Sequence, residues 1–239
     1  MKKERRKRRT KEEIEELINK AAIELIESGG FSKLTVRNVS EQAKIEPVVF
    51  YNRYPNIEEF IDEFVRKYDY WLAEAAKSDE HLSDKEEYVY IMKSLFSLLK
   101  NNVVMQELLR WELFEENEIT SRTAKLREFH TLPLVDKYLK IFKDAPFEIE
   151  VLSAIIISGL YYLILHARLT PFARVDVNTE KGQEQIFKAI DYLGNLLFES
   201  VYGVDNKTLE IAKAMQGKGL DNDLIKECTQ VPISILQKL

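Results

Sequence analysis

An all-α fold follows from three features of this 239-residue chain. Apolar side chains recur at steps of three and four along most of its length, which is the helical period. Only 8 Gly and 6 Pro are present to interrupt those stripes. Apolar residues make up 45% and charged residues 31%, enough to fill a core while leaving solvated outer faces. The length allows one large domain or two smaller ones.

The first eleven residues, MKKERRKRRTK, contain eight Lys or Arg and a single acid, Glu4. Like charge at that density resists folding by itself and reads as an arm that follows DNA phosphates or a minor groove, in preference to the plainer reading of a solubilising tail. No apolar segment follows that would make it a secretory signal. Residues 1–55 carry 13 Lys or Arg against 9 Asp or Glu, or +4, while residues 56–239 carry 22 against 31, or −9. A basic front on an acidic body suits a protein that turns one end toward a polyanion. The single cysteine, Cys228, excludes an internal disulfide and a multi-cysteine zinc site and fits a reducing cytoplasm.

Thr10 and Glu13 form a capping box for a first helix, whose stripe is Ile14, Leu17, Ile18, Ala21, Ala22, Leu25 and Ile26 and whose stop is Gly29-Gly30. Thr35 caps a short second helix with Val36, Val39 and Ala43 on one face. After a turn at Lys44-Ile45, a third short helix carries Phe50 and Tyr54 four apart. Helices this short bury little alone and must pack on each other and on the first helix. Between the apolar faces lie Arg37, Pro47, Val48, Val49, Tyr51, Asn52 and Arg53. This is the layout of a helix-turn-helix, whose second helix enters a DNA major groove.

The order helix, GG-F, LTVRNVSEQA, then VVFYNRYPNIEEF resembles the N-terminal domain of TetR/AcrR family transcriptional regulators over about residues 10–65. The resemblance implies a three-helix DNA-binding head on a larger all-helical body that dimerises and holds a small-molecule pocket. It implies that Thr35 and Arg37 contact a phosphate and often a base. By the same resemblance Pro47, Val48, Val49 and Asn52 face the groove, Tyr51 and Arg53 meet phosphates, and Phe50 and Tyr54 pack inward. Three positions depart from the family pattern. Lys44 stands where Gly is frequent, so a left-handed turn there costs about 1 kcal/mol. Val48 also replaces a frequent Gly, and with Val49 it offers methyl groups to a thymine. Ile57 stands where a phosphate-binding Lys commonly opens the next helix.

Ile57 to Ser78 reads as one long linking helix, through Phe60, Ile61, Phe64, Val65, Tyr68, Trp71, Leu72 and Ala75. Ser83 caps the next helix, to about Lys100, and Asn101-Asn102 breaks the chain before a shorter helix through Trp111 and Phe114. Ile119 to Phe142 follows, with Pro133 inside it. Phe147 to Leu169 is the most apolar helix, read as buried; its longest apolar run, 154–165, is too short to span a bilayer. Thr170-Pro171 stops it, and a further helix runs from Asn178 or Thr179 to about Tyr202. Two adjacent apolar helices suit a two-fold four-helix dimer interface, and Ser158 and Gly159 would permit close approach. Met92, Phe96, Met105, Trp111, Phe129, Tyr138, Tyr161, Tyr162 and His166 are candidates to line a pocket for a small apolar or amphipathic ligand. His130 and His166 have no further His or Cys at ligand spacing, so no metal site is expected.

Residues 203–239 extend beyond what such a body needs. A helix from Thr208 to Met215, a Gly217-Gly219 break, a helix from Leu220 to Thr229 and a last one from Ile233 to Leu239 are expected. The run from Ile211 resembles a short helical repeat at the ends of some transposase-related proteins and also a degenerate second helix-turn-helix. Its charges nearly balance, so packing or partner binding is the better reading than DNA contact. The domain plan is therefore 1–55 for arm and reader, 56–202 for ligand and dimerisation, and 203–239 for an appendage.

No Gly-rich phosphate loop, Gly-x-Ser-x-Gly or metal-spaced His cluster is present, so neither a catalytic residue nor a cofactor is expected. The reading is a cytoplasmic homodimeric regulator, a repressor, that binds a palindromic operator and is released by a ligand. The alternative is a ligand-independent adaptor that recruits a protein through its body or tail.

Overall fold

A computed structural model describes residues 9–68, 70, 71, 76, 77, 81–202, 206–237 and 239. Residues 1–8 of the basic arm lie outside the described residues. Among the described residues there are twelve α-helices, one 3-10 turn at Phe31–Lys33 and no strand beyond an isolated bridge between Phe172 and Val175. The helices are α1 (Lys11–Gly29), α2 (Val36–Ala43), α3 (Pro47–Tyr51), α4 (Ile57–Arg66), α5 (Asp84–Lys100), α6 (Val103–Phe114), α7 (Glu118–Ile141), α8 (Ile149–His166), α9 (Glu180–Tyr202), α10 (Asn206–Gly217), α11 (Asn222–Thr229) and α12 (Ile233–Leu236). The chain forms two compact units, one of residues 1–71 with 99–130 and the other of residues 72–98 with 131–239.

In the first unit α1 begins with the expected capping box: the Thr10 side chain accepts from the Glu13 N–H at 3.2 Å, and Glu13 accepts from the Thr10 N–H at 2.8 Å. Its stripe buries Ile18, Ala21, Ala22 and Ile26 against Phe31, Leu34, Val39 and Ala43. Phe50, Tyr54, Phe60 and Phe64 form a ladder of rings with successive centroids 5.4, 4.9 and 5.8 Å apart. Those spacings suit edge-to-face aromatic packing, which fixes orientation as well as burying area. Phe31 stacks on Trp111 at 4.7 Å, joining the end of α1 to α6. Asp62 of α4 binds Arg122 of α7 at 2.8 Å and Arg66 of its own helix at 2.6 Å.

The expected long helix from Ile57 to Ser78 is shorter than its periodicity suggests. Helix α4 ends at Arg66, and the Tyr68 N–H bonds the Val65 carbonyl at 2.8 Å in a tighter three-residue turn. The Lys67 ammonium lies 3.8 Å from the Phe64 ring centre, a cation–π contact that holds the turn. Residues 69, 72–75 and 78 of that expected helix lie outside the described residues.

In the second unit Ser83 and Glu86 form a capping box at the start of α5. Gly194 lets α9 approach α5 closely, since a Cβ there would stand 2.4 Å from Val89 Cγ2. Tyr88 is buried among Tyr138 and Phe198, and its hydroxyl lies 3.0 Å from Ser153 Oγ. Helix α7 continues as helix through Pro133.

Helix α8 corrects the expectation of a buried helix. Only 17% of Ile149–His166 is buried, although length and a mean hydropathy of 1.8 would alone let it cross a membrane. Val151, Ile155, Ser158, Gly159 and Tyr162 form one exposed stripe along it. Ala189, Tyr192, Leu193 and Leu196 form another on α9. Hydropathy reports composition and is blind to which face finds a partner, so it mistook an unpaired apolar face for a core.

The last three helices have a core of their own: Leu209, Ala212, Ile225, Val231 and Leu236, flanked by Met215, Leu220, Ile235 and Leu239. The Lys213 ammonium binds Glu86 of α5 at 2.7 Å. Partial burial opposes ionisation of Glu86. The Lys213 ammonium, the Ser83 hydroxyl and the Ser83 N–H outweigh it and bring the carboxyl down to about 2.

Candidate nucleic-acid interface

Local chemistry sets the geometry of residues 35–54. Thr35 has extended backbone and its hydroxyl accepts from the Asn38 N–H at 3.1 Å, starting α2. Asn38 donates through Nδ2 to the Lys33 carbonyl at 2.9 Å and fixes the entering chain. Helix α2 stops because Lys44 is left-handed, φ 54° and ψ 49°. Its N–H bonds the Glu41 carbonyl and the Ile45 N–H bonds the Ser40 carbonyl at 3.0 Å. The departure from Gly is thus real, and a lysine bears the strain. Arg9, the first described residue of the arm, reaches the Lys44 carbonyl at 3.5 Å.

Pro47 occupies the first turn of α3, where no N–H partner is needed and its fixed φ suits the helix. Within this five-residue helix the inward positions are sealed: Phe50 is 0% exposed, and Tyr54 just beyond is 3% exposed. Val48 is 62% and Tyr51 55% exposed, with Pro47, Asn52 and Arg53 also open and Val49 half-buried. Thr35 and Arg37 are exposed at the start of α2. Six of the eight positions nominated from sequence thus lie on α3 and the two residues after it, and Thr35 and Arg37 lie at the start of α2. Asn56 caps α4 by accepting from the Glu59 N–H at 2.7 Å, and Ile57 is half-buried beside it.

Both arginines of this segment have carboxylate partners. Arg37 binds Glu41 at 2.9 Å one turn along α2. Arg53 binds Glu15 of α1, whose charge raises the arginine's pKa further above its already high value. Exposed ion pairs are weak, so each guanidinium can exchange a carboxylate for a phosphate at little cost. Glu15 went unnoticed in the sequence because it lies 38 residues from Arg53, beyond any local spacing rule.

The nominated pocket residues are divided between the units. Met105, Trp111 and Phe129 belong to the first, and Met92, Phe96, Tyr138, Tyr161, Tyr162 and His166 to the second. Met92, Phe96, Met105 and Tyr138 are buried, whereas Phe129 and Tyr162 are exposed. Tyr162 and His166 stack, with ring centres 5.1 Å apart. A surface groove of 690 Å³ in the first unit is lined instead by Glu116, Asn117, Glu118, Ser121, Arg122, Lys125 and Leu126.

Residues 18–64 match the sequence profile of bacterial regulatory proteins of the tetR family. No curated protein sequence matches the chain. Among solved structures, a TetR family transcription regulator from Marinobacter aquaeolei VT8 is similar with a TM-score of 0.53 and 16% identity. The match covers 76% of this chain and 95% of that one. The transcriptional regulator FadR from Bacillus subtilis, solved in complex with stearoyl-CoA, has a TM-score of 0.54 and 15% identity, covering 80% and 99%. At such identities the likeness establishes the fold.

Proposed function

We propose that the chain, whose residues 18–64 match the tetR family profile and whose fold is that of TetR family regulators, is a homodimeric repressor of a palindromic operator released by a small molecule. The observation that carries this reading is the division of α3 and its flanks. Phe50 and Tyr54 seal the inside while Val48, Tyr51, Asn52 and Arg53 stand open on a segment with only five helical residues. Tyr51, Arg53, Thr35 and Arg37 hold phosphates and set the register, while Asn52 and the valine methyls read base edges. Residues 1–8 add sequence-independent affinity through counterion release.

Dimerisation is supported by the exposed stripes on α8 and α9, apolar surface that a second copy would cover about a two-fold axis. Two readers about one DNA turn, ~34 Å, apart would then meet a two-fold symmetric site. A ligand that binds better to dimers whose readers miss that spacing shifts the population and frees the DNA. The FadR relative's complex with stearoyl-CoA supports a ligand-holding body.

Selection of bound DNA from a random pool by the purified protein tests the reading. A two-fold symmetric consensus is expected, and enrichment of no sequence would overturn it. With that consensus in hand, Asn52→Ala should relax preference at one position, whereas Tyr51→Ala and Arg53→Ala should weaken all sequences alike.

A further inference from the structure

Among the described residues the first unit buries six polar side chains, and five of them lie on α6 and α7: Gln106, Glu107, Thr120, Thr123 and Arg127. Thr120, Thr123 and Arg127 share one face of α7 at steps of three and four. Most of this set is held internally. Gln106 donates to the Leu99 and Lys100 carbonyls at 2.9 and 3.0 Å, Thr120 donates to the Glu115 carbonyl at 2.9 Å, and Glu107 accepts from Arg110 at 2.6 Å. Arg127 differs. It is 7% exposed, it donates through Nη2 to Glu112, and its buried Nη1 has no hydrogen-bond partner.

A buried guanidinium with idle donors is costly, because desolvation is incurred without the bonds that offset it. One carboxylate does not saturate the five-donor fork of an arginine. Met105, Leu108 and Leu109 are buried on the same face of α6 as Glu112, three to seven residues before it, and give the pair apolar neighbours on that helix. We propose that Arg127 anchors the anionic group, a carboxylate or phosphate oxygen, of a small amphipathic ligand that enters between α6 and α7. This assignment rests on the ligand-responsive reading above and names the ligand's chemistry. The charged fork supplies a directional, charge-assisted bond, and the apolar surround takes the alkyl or aryl part.

Calorimetric titration with dodecanoate, dodecyl phosphate and dodecanol separates head-group charge from chain length. One or both anionic probes should bind the native protein about 10-fold tighter than dodecanol or better. The tighter of the two identifies the oxyanion. The double variant Glu112→Gln/Arg127→Met, which strands no buried charge, should lose that preference, and Arg127→Lys should retain part of it. Equal affinity for all three probes, a preference that survives in the double variant, or binding of none overturns the assignment. Operator release is scored separately by gel shift. Anionic binding through Arg127 that leaves operator occupancy unchanged keeps the anchor and removes the release reading. Release that is indifferent to head-group charge keeps the release reading and removes the anchor.

Discussion

Residues 35–51 and 221–236 use the same backbone device to opposite effect. Each has an eight-residue helix, α2 or α11, started by a side-chain cap at Thr35 or Asp221. Each helix ends on a left-handed residue that is not glycine, Lys44 at φ 54° or Gln230 at φ 60°. An apolar residue and a short helix follow in both, and the two segments align without a gap. Leu34 pairs with Leu220, Val39 with Ile225, Ile45 with Val231 and Phe50 with Leu236. The surfaces then diverge. Thr35 and Arg37 correspond to Asp221 and Asp223, and Arg53 corresponds to Leu239. Acids at the positions that correspond to the proposed phosphate contacts of the front segment would repel a polyanion, and the tail's charges nearly cancel. A helix-turn-helix is therefore a general way to pack two short helices, and its partner is chosen by a handful of exposed side chains.

Core truncation should separate the two segments most sharply. Phe50→Ala removes the first, fully buried ring of the ladder and should cost about 3–5 kcal/mol, abolishing DNA binding. Leu236→Ala should cost about 2–5 kcal/mol within the tail while operator affinity persists. Urea unfolding and DNA titration of both variants check this, and equal loss of DNA binding would erase the distinction. A smaller effect concerns the shared turn: Lys44→Gly and Gln230→Gly should each gain up to about 1 kcal/mol by relieving left-handed strain. Thermal unfolding that changes in only one of them would mean the two turns are not equivalent.

The smallest effect concerns how the tail is tied down. The Glu86 carboxyl is depressed in the folded chain, so the stability it lends is present above its ordinary value of 4.5 and fades as pH falls toward about 2. Both partners are partly exposed, so the pair contributes at most about 1 kcal/mol. Lys213→Ala should thus lower stability at pH 6 and make no difference near pH 2. A deficit that persists undiminished at pH 2 would point to lost packing and not to the ion pair.

Much of the reader segment was legible in the chain's order of residues. Thr10 with Glu13, Thr35 and Pro47 act within their own first helical turn, so their spacing carries the information, whereas the left-handed turn at Lys44 was expected from the family resemblance. The inward turn of Phe50 and Tyr54 followed from their spacing of four. Three kinds of feature were not legible. Arg53 meets Glu15 and Arg122 meets Asp62 across separations no local rule covers. The end of α4 at Arg66, where Lys67 lies over the Phe64 ring, interrupts an apolar period that runs on past it. The exposure of α8 depends on what packs against it, which hydropathy does not encode.

By itself, then, the sequence determined the all-α class, the caps and turns, the helix-turn-helix layout and the charge polarity, because each arises from covalently near neighbours or from composition. Only the tertiary structure decided that the last three helices have their own core, that the apolar face of α8 stands open, and that Arg127 is buried against Glu112 with an idle donor. Those outcomes depend on which distant surfaces meet, and burial is a property of the meeting rather than of either partner alone.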